Sequence, residues 1–279
     1  MNHSKTRQII IFFIFLLISL NAKSFDYHDS NVKVALVHYP PYVIQNKAHE
    51  GAGIVYDLLK DVDNLTILFL PPKRAIEEYR HNKIDILFFS DKGAYNIVKK
   101  NSQFLPLFQG NTHLIYLKDS ENTGVISKKT LANKSVAVIR GVGEEAEKLR
   151  LLGMKIVEIE TPEQSLQMVA KGRIDYSNMS LLPVKYQLNN MKIKEALEFS
   201  AKPTFLLNVG LFYSKNPSIH VKKAIDEINN IYLTDRDEIG IFLDKEFQRR
   251  LRPKQKGLNH KDYNKSVIPL PLLKNEVAT

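Results

Sequence analysis

Few side chains in this sequence are spaced for chemistry. Tyr39-Pro40-Pro41-Tyr42 follows a β-branched, alternating run at Val32–Val37. Proline lacks a backbone donor, so a strand there must end and the two tyrosines turn over its rim. An aromatic ring in that place either stacks on a ligand or packs on the prolines. Arg74 follows Pro71-Pro72 at a helix start. A guanidinium there opposes the helix dipole, so it either faces an anion or is solvated. Ser90 and Asp91 end a buried strand, at the carboxyl edge where ligands of open α/β sheets sit. Gly141-Val142-Gly143 joins a strand to a helix, with Arg140 beside it. Its N–H groups either take a carboxylate or phosphate oxygen, or the glycines serve a turn that needs positive φ. Arg140 then reinforces an anion or points to solvent.

Catalytic arrangements are scarce. The chain has no Cys, which excludes disulfides, zinc-thiolate sites, thiol catalysis and a lipid-bearing N-terminal Cys. The eight His residues (3, 28, 38, 49, 81, 113, 220 and 260) are scattered without ligand spacing, so no metal site is expected. Neither a phosphate-loop motif nor a Gly-x-Ser-x-Gly elbow is present. No cofactor is expected. If the chain were an enzyme, Asp91 and Glu144 would be the acids to test.

The elements that must position these residues alternate. Val32–Val37, Thr66–Leu70 and Ile84–Phe89 read as strands, with helices at Ile54–Val62 and Arg74–His81 between them. That order argues for an α/β protein with mostly parallel sheets under covering helices. The alternation restarts with strands at Ser135–Ile139, Lys155–Ile159 and Ile174–Asn178 and a helix at Gly143–Leu152. Thr161-Pro162-Glu163-Gln164 supplies an N-cap, a first-turn proline and a capping-box Gln for a helix to about Lys171.

The halves share a short repeat. Arg74-Ala75-Ile76 to Asn82-Lys83-Ile84-Asp85 matches Gln164-Ser165-Leu166 to Gly172-Arg173-Ile174-Asp175, 90 residues later. Asn and Gly are the residues that accept a left-handed C-cap. We read two lobes of similar build. His113–Leu117 and Thr204–Tyr213 are strand-like crossings that make a hinge, and the cleft between the lobes is the expected ligand site. Ser218–Tyr232 and Thr234–Phe247 read as amphipathic helices.

At 279 residues and 32.0 kDa the chain fits two domains. Its net charge of +10 is terminal: residues 1–24 carry +3 and residues 249–279 carry +6, leaving +1 for the body. A nucleic-acid partner is not expected, because no basic face is visible in the body. Lys5 and Arg7 precede an apolar run from Ile9, and Ala22 and Ser24 are small residues two apart. This is the order of a secretory signal peptide, with cleavage after Ser24. The run is shorter than the roughly 20 apolar residues of a membrane anchor. The mature protein is therefore expected in the periplasm. The tail reads as a solvated extension, or as a contact for a partner or an anionic membrane surface.

Taken in order, several motifs resemble extracellular solute-binding proteins of family 3. They are Tyr39-Pro40-Pro41-Tyr42, Gly51 with Gly53-Ile54 and Asp57-Leu58-Leu59, Asn82-Lys83-Ile84-Asp85, and Phe104-Leu105-Pro106-Leu107. Ser135-Val136-Ala137-Val138, Gly172-Arg173-Ile174-Asp175 and Gly210-Leu211-Phe212-Tyr213 complete the set. The resemblance covers residues 32–248. It implies a two-lobed type 2 periplasmic-binding fold with a two-strand hinge. The implied layout is a signal peptide at 1–24, lobe 1 at 25–115, lobe 2 at 116–203, a return to lobe 1 at 204–248 and a tail at 249–279. It implies a monomer that captures a small polar molecule for an inner-membrane permease. A sensor of the same fold, or less readily an enzyme such as a cyclohexadienyl dehydratase, is the alternative. Members that bind α-amino acids hold the carboxylate with an Arg and the ammonium with an Asp. The matching positions here are Ile97 and Ser180. An unpaired buried charge costs several kcal/mol by order of magnitude, so ordinary α-amino acids are expected to bind poorly.

Overall fold

Strand β1 spans Val32–Leu36. Its alternation sends Val32, Val34 and Leu36 into one core cluster and Ala35, with Val37 beyond the strand, into another, as a two-residue period requires. Both faces are therefore covered, the ordinary condition of a parallel sheet. The computed structural model describes residues 31–46, 50–94, 96–188, 191–193 and 196–233. The expected signal segment, the helix at Thr234–Phe247 and the basic tail lie outside them.

After β1 come the hairpin β2 (Ile44–Gln45) and β3 (Gly51–Ala52), then α1 (Ile54–Leu59), β4 (Leu65–Phe69), α2 (Pro72–Arg80) and β5 (Ile86–Ser90). Helix α3 (Asn96–Asn101) leads into the long β6 (Ser102–Leu117). The second half follows as α4 (Lys128–Leu131), β7 (Ser135–Ile139), α5 (Glu144–Leu151), β8 (Lys155–Ile159), α6 (Pro162–Ala170) and β9 (Tyr176–Ser180). Then come α7 (Leu181–Leu188), β10 (Leu197–Phe199) and β11 (Phe205–Ser214). Helix α8 runs over residues 219–233 and seals one face of the first half. Val221, Ala224, Ile225, Ile228 and Tyr232 form its buried stripe, at the spacing of one helical face.

The strands lie in the order β4-β1-β5-β11-β6-β9-β7-β8, with β10 beside β6. β4, β1 and β5 are mutually parallel, as are β8, β7 and β9, and each trio meets a hinge strand antiparallel. The repeat seen in the sequence is structural. Leu65 and Lys155 open β4 and β8, Pro72 and Pro162 open α2 and α6, and Ile86 and Tyr176 open β5 and β9, each pair 90 residues apart. Asn82 (φ 56°) and Gly172 (φ 62°) supply the left-handed exits. Asp85 then accepts the Lys33 N–H at 2.8 Å and Asp175 the Ser135 N–H at 2.8 Å. Each carboxylate thus clasps the start of the central strand of its half. The Thr161 side chain caps α6 as expected, accepting from Gln164 N–H at 3.3 Å. Gln164 itself accepts from Glu160 N–H at 3.1 Å rather than from the cap residue.

Two strands cross between the halves. β6 pairs with β11 as far as Thr112, and from Thr112 onward with β9. The proline within β6 is accommodated by a bulge. The register shifts between Val209 and Gly210, so Phe108 and Pro106 face consecutive residues of β11. Bulges are where a strand tolerates proline. Gly210 is obligatory, since a Cβ there would lie 2.1 Å from the Leu105 carbonyl oxygen.

Candidate functional site

The carboxyl ends of β5 and β9 meet at a cleft between the halves. Phe88, Phe89 and Ser90 line it from the first half, and Asn178, Met179 and Ser180 from the second. Ser90 and Ser180 are the last residues of strands 90 positions apart, so the internal repeat sets equivalent hydroxyls on the two walls. Thr112, Leu207 and Val209 of the hinge strands contribute to the lining. A cleft walled from both halves is where a small ligand would sit. The lining is mostly aliphatic and aromatic, with few polar groups.

Tyr39 and Tyr42, paired in the sequence, part company here. Tyr39 lines the cleft. Tyr42 is core, 3% exposed, and lies between Tyr39 (centroids 6.4 Å apart) and Phe108 (5.6 Å). The core ring backs the cleft ring and fixes its plane. Burial pushes the Tyr39 hydroxyl up to about 12, and a hydrogen bond with Ser180 opposes the shift. That contact joins lobe to lobe.

Among the described lining residues, Glu145 is the one charged side chain. It is 6% exposed. Its Oε2 accepts from Asn178 Nδ2 at 3.0 Å, and Asn178 Oδ1 accepts from Thr204 Oγ1 at 2.5 Å. With its one proton given to Asn178, Thr204 Oγ1 lies 2.8 Å from Thr112 Oγ1, from which it accepts, while the Thr112 carbonyl accepts from Thr204 N–H at 2.8 Å. The chain of bonds runs from hinge to cleft floor and leaves the Asn178 amide one orientation. Burial holds the Glu145 carboxyl up at about 7. Asp91 and Glu144 add to the shift, and the Asn178 bond and Lys148 oppose it.

Glu144 faces the other way and joins the halves. Lys99 Nζ donates to its Oε2 at 2.6 Å, Lys92 Nζ lies 3.4 Å from its Oε1, and Lys148 Nζ 2.9 Å from the same oxygen. The hydrogen bond from Lys99, offset in part by burial and reinforced by Lys148 and Lys92, brings its carboxyl down to about 2. Beside it, Gly143 N–H donates to the Gly93 carbonyl at 3.0 Å. Gly141 (φ 93°) sits against α2, where a Cβ would lie 3.2 Å from Lys73 Cα. These contacts bring the lobes together in a closed arrangement.

Of the residues singled out in the sequence, Tyr39, Ser90, Val142 and Ser180 line the cleft. The others are engaged elsewhere. Arg74 pairs with Glu78 of its own helix at 2.6 Å, its side chain 65% exposed. Arg140 pairs with Glu158 at 3.3 Å and Glu160 at 2.5 Å. Asp91 ties β5 to the hinge, accepting from Asn208 N–H at 2.9 Å and Asn208 Nδ2 at 3.0 Å. Gly141 serves the turn and the closed contact. Ile97 falls in α3. The sequence reading passed over Glu145 in favour of Glu144. A signal was available: Glu145, Ala146 and Leu149 share the buried face of α5, and an acid on an apolar face is unusual.

No family model and no curated protein matches the chain. Solved structures do. A mutant of ArgBP from T. maritima is similar over 79% of this chain and 96% of that chain, at 17% identity and a TM-score of 0.64. AbpA, an amino acid ABC transporter substrate-binding protein from Streptococcus pneumoniae solved with L-arginine, is similar over 80% and 97%, at 16% identity and a TM-score of 0.64. A histidine kinase sensor domain with similarity to periplasmic binding proteins is similar over 80% and 98%, at 18% identity and a TM-score of 0.64. The chain has the two-lobed periplasmic-binding-protein fold expected from its motifs. This fold serves both solute capture and ligand sensing among those neighbours.

Proposed function

We propose that this protein is an exported ligand-binding clamp that captures a small molecule in the interlobe cleft and presents its closed form to an inner-membrane permease. The observation carrying the reading is the cleft itself. It is lined from both halves, spanned by two hinge strands, and bridged by Glu144 with Lys99 and by Gly143 with Gly93. A ligand seated there contacts both lobes only when they are closed, so it favours closure through differential affinity. Export through a cleavable signal at residues 1–24 places the clamp in the periplasm, as a monomer. No described helix is long and apolar enough to cross a membrane.

The ligand is not an ordinary α-amino acid on this reading. No described basic side chain lines the cleft to take a carboxylate, and an unpaired buried carboxylate is costly. A sensor role is the second reading, supported by the likeness to a kinase sensor domain. Neighbouring permease and ATPase genes favour transport, and a neighbouring membrane kinase gene favours sensing. Thermal-shift screening of small molecules, followed by small-angle scattering of each hit, tests the clamp. Binding raises stability by mass action, and at about 0.5 M salt, where the Glu144 ion pairs are screened, hits should make the protein more compact. Hits that bind without compaction, or that bind equally after the cleft is blocked by Val142→Trp, refute it.

A further inference from the structure

We propose that the cleft selects an organic cation with an apolar body, an amine or amidinium on an aryl or alkyl frame, and that Glu145 receives the charge. The inference rests on the clamp reading and names its ligand class. Phe88, Phe89, Ile139, Met179 and Leu207 make the walls apolar, and Glu145 is the sole charged group among the described lining residues. An anion would meet that carboxylate with no described cation at the cleft to offset it. A zwitterion would find a partner for its ammonium and none for its carboxylate. A neutral polar molecule would leave the ionised Glu145 without a counter-charge inside a closed lobe pair and would favour the protonated carboxyl instead. A monocation satisfies both the charge and the walls, and the Tyr39 ring adds a face for cation–π contact. The site is preorganised, because the Asn178–Thr204–Thr112 bonds hold the carboxylate before any ligand arrives.

Asp91, at the end of β5, strengthens the negative field, as does Glu144 on the same helix, while Lys148 opposes it. The Tyr39 hydroxyl also faces Glu145 and stays neutral. With the carboxyl titrating near pH 7, a cation should bind more tightly as pH rises from about 6 to about 8, then level off.

Titration calorimetry of the purified protein tests this with 2-phenylethylamine, 2-phenylethanol, 3-phenylpropionate and L-phenylalanine as probes at pH 8. The amine should bind roughly 30-fold or more tightly than the alcohol, the weight of a buried charge pair. Glu145→Gln should erase that preference, and Glu147→Gln, an equal charge change on the exposed side of α5, should keep it. In the unaltered protein the amine affinity should rise with pH as stated, a readout that needs no variant. Equal binding of alcohol and amine, tighter binding of the propionate, or a flat pH profile overturns the cation assignment. If those probes still compact the protein, the clamp stands without it. If no probe binds and none compacts the protein, both fall together.

Discussion

Glu145 and Glu144 are neighbours whose titrations pull in opposite directions. Glu145 is held up at about 7 in the fold, against 4.5 for a free carboxyl. Between those values the unfolded chain has released its proton and the native one retains it. Native stability therefore declines as pH rises from about 4.5 to about 7, by something on the order of 3 kcal/mol. Urea midpoints of the ligand-free protein between pH 4 and 8 should show the decline, and Glu145→Gln should flatten it. Superimposable profiles would refute the buried carboxyl. Glu144 is held down at about 2, so its contribution is complete above about 4.5 and fades as pH falls toward 2. Gly141 offers a separate residue-scale test. At φ 93° and 3.2 Å from Lys73 Cα, an added Cβ strains the turn and crowds the closed contact. Gly141→Ala should cost roughly 1–3 kcal/mol in urea unfolding.

The paired clasps make a prediction about elements. Asp175 accepts from both Ser135 N–H at 2.8 Å and Ser135 Oγ at 2.7 Å, and its Oδ1 lies 3.5 Å from Lys134 Nζ. Asp85 has the Lys33 N–H at 2.8 Å. Asp175→Ala should therefore destabilise by about 2–3 kcal/mol and Asp85→Ala by about 1 kcal/mol in the same assay. Equal losses would show that the second clasp gains nothing from its extra bonds. The turn from β7 into α5 sets Gly141, Gly143 and Glu144 against the opposite lobe. The lysine contacts of Glu144 are partly exposed, so each is modest. Glu144→Gln should weaken ligand binding by about 3- to 10-fold through easier opening, while Glu145 and the walls stay in place. An unchanged dissociation rate would rule out the latch.

At the scale of the molecule, the proposed clamp needs an open–closed balance, which the two hinge strands and the Glu144 ion pairs would set. Exposed ion pairs are screened by salt, with a Debye length of about 10 Å at 0.1 M. Raising salt from about 0.05 M to about 0.5 M should expand the ligand-free protein in small-angle scattering. Glu144→Gln should start expanded and respond little. A salt response of equal size in both proteins would assign closure to the Gly143–Gly93 and Tyr39–Ser180 contacts instead.

Much of this architecture is written locally. β7 and β8 match the sequence reading to the residue, because β-branched runs bounded by turns need no distant partner to be recognised. The repeat between α2 and α6 is equally local, set by prolines at the starts and left-handed residues at the exits. The sequence also carries Ile97 and Ser180 at the two positions that the resemblance matches to the zwitterion anchors, a reading of residue types that needs no fold. Three features were decided by tertiary structure. The sequence reading began the first crossing at His113, whereas β6 starts at Ser102, because the bulge opposite Gly210 accepts Pro106 within the strand. Tyr39 and Tyr42 look equivalent until β6 places Phe108 behind one of them. Glu144 and Glu145 stand about 100° apart on the helix, and only the docking of α5 settles which carboxylate meets the lysines and which meets the cleft.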